Sequence, residues 1–378
     1  MPKAEIMTFK SGKFVFSDAF ASDQIMPMEI ELNLLLESLR ELPILPRQAK
    51  SFEKKLIHRS IFSTAAIEGN PLRENEVSKI ISDTNEVAQG DKEIEIINLV
   101  QAYQFIDVAS QEENFRISEE LIKQLHGIIT RNLNNEDCLP GQYRNHIVKV
   151  GDRAHGGVTT PPKCLVDIRN LMEDFIKWFK TIESSNLLPL YKAAIAHYHL
   201  AKIHPFADGN GRVARLVETA ILKKYRIKYL PEMLSNYYYR EIDSYYVAFS
   251  KCRQNKNNDI SPFIIFVLQG AIDSLKEVKK YISEHLKNTA LQEYFKDLLD
   301  SKFISKRQCE FLNLLLVAPA NYHVTVQSMQ RDLPFRTLYA NVTDRTARRD
   351  IAKLQKMKLL KQQSGGTFIL DREILNAL

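Results

Sequence analysis

The spacing of apolar residues sets the fold class of this 378-residue chain. Apolar side chains that recur at i, i+3, i+4 and i+7 lie on one face of an α-helix. This pattern is found in segments 28–42, 51–69, 91–110, 117–133, 165–182 and 190–203. Strand-like alternation is scarce along the chain. The sequence therefore predicts a mainly α-helical protein, and its length is typical of roughly two or three domains.

The composition, with 44% hydrophobic and 26% charged residues, is typical of a soluble globular protein. No apolar run approaches the roughly 18 residues of a membrane span, and the N-terminus lacks the apolar core of a signal peptide. The four cysteines, Cys138, Cys164, Cys252 and Cys309, form no CxxC pair. This spacing argues against a zinc ribbon or a disulfide framework. We expect a cytoplasmic protein without membrane contact.

Residues 140–163 differ from the helical pattern and are called the flap below. Two short β-branched runs, 147–150 and 158–160, enclose a Gly-rich middle, and Pro161 and Pro162 close the segment. This pattern predicts a β-hairpin, although a plain surface loop fits it as well. Because a lone hairpin is marginally stable, we expect it to cover another part of the fold. Its edge within residues 146–162 could accept an extended peptide of a target protein.

The segment 203–215, IHPFADGNGRVAR, concentrates polar chemistry. Pro205 predicts that the preceding helix ends near Ile203, and the next helix is expected to begin near Arg212. Asp208 to Gly211 then form a turn that feeds a helix N-terminus. Glycine backbone in such a turn can point several N–H groups at one anion, and the helix dipole favours negative charge there.

The charged side chains of this segment predict a polyphosphate site. Arg212 and Arg215 are three residues apart, and the next acid along the chain is Glu218. Paired guanidinium groups are suited to phosphate oxygens. Asp208 offers a hard ligand for Mg²⁺, or for Mn²⁺ in its place. His204 can accept a proton near neutral pH, so the set predicts phosphoryl or nucleotidyl transfer. The alternative is a polar corner between two helices.

Other chemistries fit this segment less well. Residues 209–214 match the dinucleotide fingerprint G-x-G-x-x-A, but a helix precedes them where that fingerprint requires a strand. A Walker P-loop motif is absent from the sequence. A metal hydrolase could use His197 and His199 with His204 and Asp208. However, His197 and His199 are two apart on a helix and face different ways, so we expect them in the core.

The run from His204 to Arg212, with Arg215, resembles the Fic family signature HPFx[D/E]GNGRxxR. The GQYR run at 141–144 and the segments 238–253 and 260–268 are similar to family sequences too, so the resemblance covers about residues 1–269. It implies a Fic-type helical bundle with a β-hairpin flap. It also implies transfer of AMP from ATP to a Ser, Thr or Tyr hydroxyl of a target protein, or of the enzyme itself, with release of pyrophosphate. The kinase-like relative Doc departs from GNGR, which this chain retains.

The resemblance assigns roles residue by residue. It implies His204 as general base, Phe206 as core anchor, Asp208 as the Mg²⁺ ligand, Gly209, Asn210 and Gly211 as an anion hole, Arg212 on the β-phosphate and Arg215 on the γ-phosphate. Tyr245 and Tyr246 match the family's nucleoside-contacting pair, although paired aromatic residues are also common in cores.

Glu68 stands at the predicted end of a helix, where the macrodipole disfavours an anion by roughly 0.3–1 kcal/mol. The run from Thr64 to Gly69 resembles the inhibitory motif [S/T]xxxE[G/N] of the same family. The resemblance implies that Glu68 pairs with Arg215 and blocks productive ATP binding. In some relatives this Glu supports removal of AMP, so a de-AMPylating phosphodiester hydrolase stays an alternative.

The C-terminal segment 302–378 carries the basic excess: 13 Lys and Arg against 6 Asp and Glu, in a chain of net charge +6. A helix after Thr343 with an SGG hairpin tip resembles a winged helix-turn-helix domain. We expect a DNA or protein partner there, and a DNA-binding regulator with a nucleotide-sensing site is an alternative function. The predicted division is 1–112, 113–270 around the catalytic core, 271–301 as a helical linker, and 302–378. A homodimer is compatible with the sequence.

Overall fold

The computed structural model describes residues 4–82, 90–255, 257–319 and 321–376. Helices dominate these residues, which confirms the predicted fold class. The elements in chain order are β1 (Ala4–Met7), β2 (Lys13–Phe16), α1 (Ser22–Glu41), α2 (Pro46–Ile67), α3 (Glu74–Ser82), α4 (Asp91–Ala109), α5 (Glu119–Ile129), α6 (Leu165–Glu183), α7 (Pro189–Ile203), α8 (Asn210–Lys224), α9 (Leu230–Arg240), α10 (Ile242–Gln254), α11 (Ser261–Asp300), α12 (Lys306–Val317), α13 (Val326–Arg331), α14 (Arg336–Tyr339), α15 (Asp344–Lys356), β3 (Leu360–Gln363) and β4 (Thr367–Leu370).

The chain divides into two compact units, Met1–Glu41 with Leu45–Lys279 and Leu42–Ile44 with Lys280–Leu378. In the first unit α7 lies at the centre, and every side chain from Leu190 to Leu200 is buried. A helix that is covered on all sides needs no polar face, which explains its weak amphipathicity. The neighbouring helix α8 is also largely buried. The loop between these two helices is therefore anchored at both ends in the buried core of the unit.

Several helix ends were predicted correctly from capping residues and proline in the sequence. The Ser118 hydroxyl accepts a hydrogen bond from Leu121 N at 3.2 Å and caps α5, and Thr343 caps α15 through Thr346 N at 3.3 Å. The helix before Pro205 ends at Ile203, as predicted. These features depend on residues within one turn of the helix end, which is why the sequence predicts them.

The N-terminal hairpin is a feature that the sequence pattern missed. β1 pairs with β2 in antiparallel register, Ala4 opposite Phe16. The turn between them is held from outside, because the Asp167 carboxylate accepts from Phe9 N at 2.7 Å, from Lys10 N at 3.0 Å and from the Ser11 hydroxyl at 2.6 Å. Four-residue strands give little alternation to detect.

The flap forms a minimal hairpin. The two β-branched runs meet in one antiparallel bridge, where Val150 N donates to Thr159 O at 2.9 Å and Thr159 N donates to Val150 O at 2.8 Å. Pairing extends no further among the described flap residues, because Gly151, Gly156 and Gly157 adopt positive φ and turn the chain away. The flap is a narrow loop with one rung of β pairing.

The second unit has its own hydrophobic core, formed by side chains of α11 to α15 and the β3–β4 hairpin. Val324 adds an antiparallel bridge to Phe368 of β4. The order helix, bridge, three helices and hairpin is compatible with the winged helix-turn-helix expected from the sequence, which stays a prediction. No helix in the described ranges is long and apolar enough to cross a membrane.

Candidate active site

The motif loop, residues 204–209, joins the two most buried helices of the first unit. His204 caps the end of α7 in the left-handed region at φ 52°, and Gly209 precedes α8 at φ 77°. The Asn210 side chain closes the loop, since Oδ1 accepts from Phe206 N at 2.9 Å and Nδ2 donates to Phe206 O at 2.9 Å. Because Phe206 is fully buried, the loop is fixed by both packing and hydrogen bonds.

His126 of α5 packs against the motif loop. Its role in the site was not predicted from the sequence. Its ring stacks on Phe206 with centroids 3.7 Å apart. Gly141 N donates to His126 Nδ1 at 2.9 Å, so His126 Nε2 carries the proton that faces Asp208 O at 3.1 Å. Burial lowers the pKa of His126 to about 4, which keeps this tautomer neutral. A buried His on an amphipathic helix gives no sequence signal of such a role.

His204 is half-buried and lines a cavity. Its Nδ1 lies 3.4 Å from Ala201 O, a contact that favours the proton on Nδ1. Burial, aided by the nearby charge of Arg144, lowers the pKa of His204 to about 4. At neutral pH the ring is therefore neutral, and Nε2 is left as a proton acceptor.

Arg144, the last residue of the GQYR run, is a second residue whose role was not predicted. It is buried, and burial lowers its pKa to about 10. Its Nε donates to His204 O at 2.8 Å, Nη1 to His146 O at 2.7 Å and Nη2 to Pro162 O at 2.8 Å. One guanidinium group thus ties both ends of the flap to the backbone of His204.

The tip of the flap is attached to α10. His155 Nδ1 lies 2.8 Å from Asp152 Oδ2, and Nε2 lies 3.0 Å from Asp243 Oδ1. Hydrogen bonds that the His155 ring donates to these two carboxylates raise the pKa of His155. Ser250 adds a hydrogen bond from its hydroxyl to Gly156 O at 3.3 Å. The flap is therefore fixed at its base and at its tip.

The N-terminus of α8 presents the two predicted cations, but neither stands free. Arg212 Nη1 contacts Glu95 Oε1 of α4, and Arg212 Nη2 lies 3.2 Å from Asp208 Oδ2. Arg215 Nη2 donates to Glu68 Oε1 at 2.6 Å. The pairing of Arg215 with Glu68 was implied by the family resemblance, whereas Glu95, which lies 117 residues from Arg212 in the sequence, was not predicted as a partner.

Arg215 is held in a buried environment. It is 1% exposed, and its Nη2 also donates to Thr64 O at 3.1 Å. Burial lowers the pKa of Arg215, but the Glu68 carboxylate outweighs this effect and raises it. Arg215 Nε and Nη1 have no hydrogen-bond partner among the described residues. These two donors are available to an anion that enters the cavity.

The turn that carries Glu68 is a Schellman motif. Glu68 is the C-cap of α2, and Gly69 follows at φ 85°. Gly69 N donates to Ala66 O at 3.0 Å and Asn70 N donates to Ala65 O at 3.1 Å, which satisfies the last carbonyls of the helix. The helix end, Gly69 and the Glu68–Arg215 pair are all as expected from the sequence. The inhibitory consequence of the pair stays a prediction.

A series of side-chain hydrogen bonds links this turn to Arg212. Asn70 Nδ2 donates to Glu95 Oε2 at 2.8 Å and to Lys92 O at 3.1 Å. Glu95 is buried and holds Arg212 with its other oxygen. The position of the Glu68 turn and the position of Arg212 are therefore set by the same carboxylate.

Glu68, His204 and Arg215 line one cavity of about 610 Å³. Its wall also includes Gly151, Asp152, His155, Thr159, Gly211, Tyr245, Tyr246, Lys13, Lys149, Lys202 and Arg253. A Cβ on Gly211 would collide with the Glu68 carboxylate, so a larger residue at this point would have to displace the Glu68 side chain. The volume is in the range of pockets that hold a small organic ligand.

Tyr245 and Tyr246 border this cavity in different ways. Tyr245 is buried, stacks on Tyr238 at 5.1 Å between ring centroids, and places its hydroxyl 2.9 Å from His197 Nε2. Tyr246 is half-buried, and its hydroxyl donates to Ile67 O at 3.3 Å. Tyr246 therefore has more ring surface available to a ligand, and the nucleoside assignment of both stays a prediction.

His197 and His199 lie in the core, as expected. Both are fully buried. His197 Nδ1 lies 3.2 Å from Glu218 Oε2, and His199 Nε2 lies 2.8 Å from Ser17 O. Both rings are buried and held by these contacts, so neither is placed to ligate a transition metal in the cavity.

Asp208 fits a magnesium ion that a phosphate ligand would share. Its side chain is 49% exposed, and one oxygen accepts from Gly209 N at 2.6 Å. Within the described ranges, no group of three or more His, Cys, Asp or Glu is placed to hold a metal alone. Mg²⁺ is commonly bound through one or two carboxylates together with substrate phosphates. A single half-exposed carboxylate suits that mode.

Residues 116–222, which span α5 to α8 and the flap, match the profile of the Fic/DOC family. The chain contains a Fic domain. Two relatives named protein adenylyltransferase Fic extend this likeness. That of Drosophila ananassae is 32% identical over 236 residues, 61% of this chain and 43% of the relative. That of Drosophila melanogaster is 32% identical over 225 residues, 58% of this chain and 41% of the relative. The chain thus spans less than half the length of these relatives.

Solved structures show that the fold around the Fic domain is shared. A Fic family protein from Desulfovibrio desulfuricans G20 has a TM-score of 0.57 at 20% identity and covers 93% of this chain and 97% of its own. Fic-1 from C. elegans has a TM-score of 0.54 at 23% identity, with 69% and 74% covered. Both likenesses concern the fold alone.

Proposed function

We propose that this protein is a nucleotidyltransferase that moves AMP from ATP to a hydroxyl side chain of a target protein, with pyrophosphate as the leaving group. The observation that carries the proposal is that His204 lines one cavity with Gly211, at the N-terminus of α8, and Arg215. Burial lowers the pKa of His204 to about 4, so its ring can accept a proton at neutral pH. The relatives named protein adenylyltransferase Fic support the same reaction.

Phosphate binding would use the N-terminal turn of α8. Gly209, Asn210 and Gly211 bring backbone N–H groups to a helix N-terminus, where the dipole favours an anion. Arg215 Nε and Nη1 are buried donors without partners in the described residues. Asp208 would hold Mg²⁺, which when bound neutralises phosphate charge. In this proposal the α-phosphorus of ATP would face His204.

His204 would act as the general base. Its Nε2 accepts the proton of the incoming hydroxyl while the hydroxyl oxygen forms a bond to the α-phosphorus of ATP. The bond between this phosphorus and the bridging oxygen breaks, and pyrophosphate leaves. Arg144 fixes the backbone of His204 and so orients the ring. A positioned base of this kind contributes about 10²–10⁴-fold to a rate.

Glu68 would restrain the reaction. In the Glu68–Arg215 pair the carboxylate holds Nη2 of the guanidinium that would contact the γ-phosphate of ATP, and its negative charge would repel that phosphate. ATP then binds without that contact, in a pose unsuited to in-line attack. Release of Glu68 would expose the full set of phosphate ligands.

The target protein would dock along the flap. Val150 and Thr159 pair with each other, while Ile147 and Val158 are 60% and 54% exposed. Exposed β-branched side chains beside unpaired backbone suit an extended segment added as a strand. A target strand at this edge would bring its hydroxyl towards His204.

Intact-mass spectrometry of the Glu68→Gly protein with Mg²⁺ and ATP tests the proposal. AMP transfer predicts a protein adduct, on the enzyme or an added acceptor, with the mass of AMP, and stoichiometric pyrophosphate. Free AMP without an adduct would favour the hydrolase. An adduct with the mass of a phosphoryl group would point to kinase-like transfer. Glu68→Gly/His204→Ala is the matched control and should form no adduct.

A further inference from the structure

The last helix of the second unit, α15, has two opposite faces. Ala347, Asp350, Ile351 and Leu354 are buried in the core of this unit. The solvent face carries five cations at helical spacing, Arg345, Arg348, Arg349, Lys353 and Lys356, all exposed. The basic excess of the C-terminal segment is thus concentrated on one helix surface, named the α15 basic face here.

A buried carboxylate fixes the rotation of α15. Asp350 Oδ2 accepts from Arg307 Nη2 at 2.7 Å and from the Tyr339 hydroxyl at 3.3 Å, and Oδ1 accepts from Gln308 Nε2 at 2.8 Å. These donors belong to α12 and α14. Because two neighbouring helices hold this one side chain, α15 cannot turn its cations towards the core.

The cations of the basic face are left without internal neutralisation. Within the part of the chain that the structure describes, none of the five has a hydrogen bond or an ion pair from its side chain. Other cations of the unit are paired: Arg307 with Asp350, and Lys361 with Asp371 at 2.7 Å. Like charges three or four residues apart destabilise a helix. A polyanion on this face would relieve that repulsion.

We propose that the α15 basic face binds duplex DNA, with α15 in the major groove and its cations on the flanking phosphates. The helix has 13 residues, about 20 Å in length, and a major groove about 12 Å wide admits one helix. Thr343 caps its first turn, and the β3–β4 hairpin follows it directly. Gln355 Nε2 lies 3.4 Å from Gln362 Oε1, so the hairpin lies beside the helix. This inference does not depend on AMP transfer.

The chemistry of the face favours a duplex over two other polyanions. Single-stranded nucleic acids are bound largely by stacking on aromatic side chains, and α15 contains no aromatic residue. Protein interfaces are enriched in aromatic residues and Met, whereas the exposed side chains of α15 are charged apart from Ala352. Arg is the residue that most often contacts phosphates and guanine edges together, and three of the five cations are Arg.

Fluorescence anisotropy of the full chain with a labelled 24-base-pair duplex of random sequence, titrated at several salt concentrations, tests the proposal. Five phosphate contacts predict a slope of about −4.5 in log affinity against log salt, or about 500-fold weaker binding at 200 mM than at 50 mM. Arg348→Ala/Arg349→Ala should reduce the slope to about −2.7 and weaken binding at 50 mM at least ~10-fold. Arg348→Lys/Arg349→Lys should retain the wild-type slope.

The matched control is Lys280→Ala/Lys296→Ala, which removes two exposed charges from α11 and should bind as the wild type does. Circular dichroism melting checks that each variant is folded. Equal binding by the Arg348→Ala/Arg349→Ala protein would overturn the proposal, as would absence of duplex binding at 50 mM salt. Equal or tighter binding of poly-L-glutamate or of a single strand would also overturn it, since the face would then serve an acidic protein or unpaired nucleic acid.

Discussion

Glu68→Gln tests the contribution of the Glu68 negative charge to the proposed inhibition, because glutamine retains the shape of the side chain. In the wild type Glu68 Oε1 and Arg215 Nη2 are 2.6 Å apart, with side-chain exposures of 26% and 1%. Loss of the carboxylate leaves a buried guanidinium with a neutral partner. A hydrogen bond to a charged group contributes about 1.5–3 kcal/mol, and the free energy of unfolding without nucleotide should fall by this amount. For a unit of this size, the melting temperature should fall by about 3–6 °C.

The same substitution should strengthen ATP binding. In the wild type the γ-phosphate competes with Glu68 for Arg215, whereas in Glu68→Gln it meets an uncompensated cation. We expect a dissociation constant for Mg-ATP at least ~10-fold lower, equivalent to about 1.4 kcal/mol. ATP should therefore raise the melting temperature of the variant more than that of the wild type.

Differential scanning fluorimetry with and without Mg-ATP, and isothermal titration calorimetry, measure both effects. Glu37→Gln is the control, because Glu37 pairs with Arg40 at 2.6 Å but both side chains are more than 60% exposed. An exposed pair contributes about 0.2–1 kcal/mol at most, and nucleotide binding should not change. If Glu68→Gln melts at the wild-type temperature and binds ATP with wild-type affinity, the Glu68–Arg215 pair neither stabilises the fold nor competes with ATP.

Three further predictions concern the base, the turn and the flap. Because burial lowers the pKa of His204 to about 4, the base stays deprotonated in weak acid. The AMP-transfer rate of Glu68→Gly should therefore be constant from neutral pH down to about pH 5 and decrease at lower pH. A pH–rate midpoint near 6.5 would contradict this. Asn70→Ala removes the amide that joins the Glu68 turn to Glu95, so labelling by the otherwise wild-type chain should rise several-fold. The same change should add nothing in a Glu68→Gly background, and an additive increase there would argue against coupling. Arg144→Ala removes the donor from three backbone carbonyl groups, one of them in a buried and two in part-buried hydrogen bonds, and should lower the free energy of unfolding by about 2 kcal/mol in chemical denaturation. Unchanged stability would contradict the assigned contacts.

Features set by neighbouring residues could be predicted from the sequence. Pro205 ends α7 at Ile203, and Gly69 ends α2 so that Glu68 becomes its C-cap. The helix after the motif loop, α8, begins at Asn210, two residues before the expected start at Arg212. In each case the energetic cause lies within one helical turn, where proline and glycine restrict the backbone most strongly.

Features that depend on distant partners could not be predicted. Glu95 reaches Arg212 from 117 residues away, and Asp167 holds the N-terminal hairpin from 156 to 158 residues away. His126 supports the motif loop through stacking on Phe206, and its sequence context resembles any amphipathic helix. The pairing of Glu68 with Arg215 was expected only through the resemblance to a family motif, because spacing alone gives no reason for it.

We propose that this site transfers AMP from ATP, with His204 as the general base and Glu68 as the inhibitory residue. The most direct measurement incubates wild type, Glu68→Gly and Glu68→Gly/His204→Ala with Mg²⁺ and ATP labelled at either the α or the γ position. We expect protein-bound label from the α position alone, strong in Glu68→Gly, weak in wild type and absent in the double variant. Label from the γ position, or no label from folded Glu68→Gly, would contradict it.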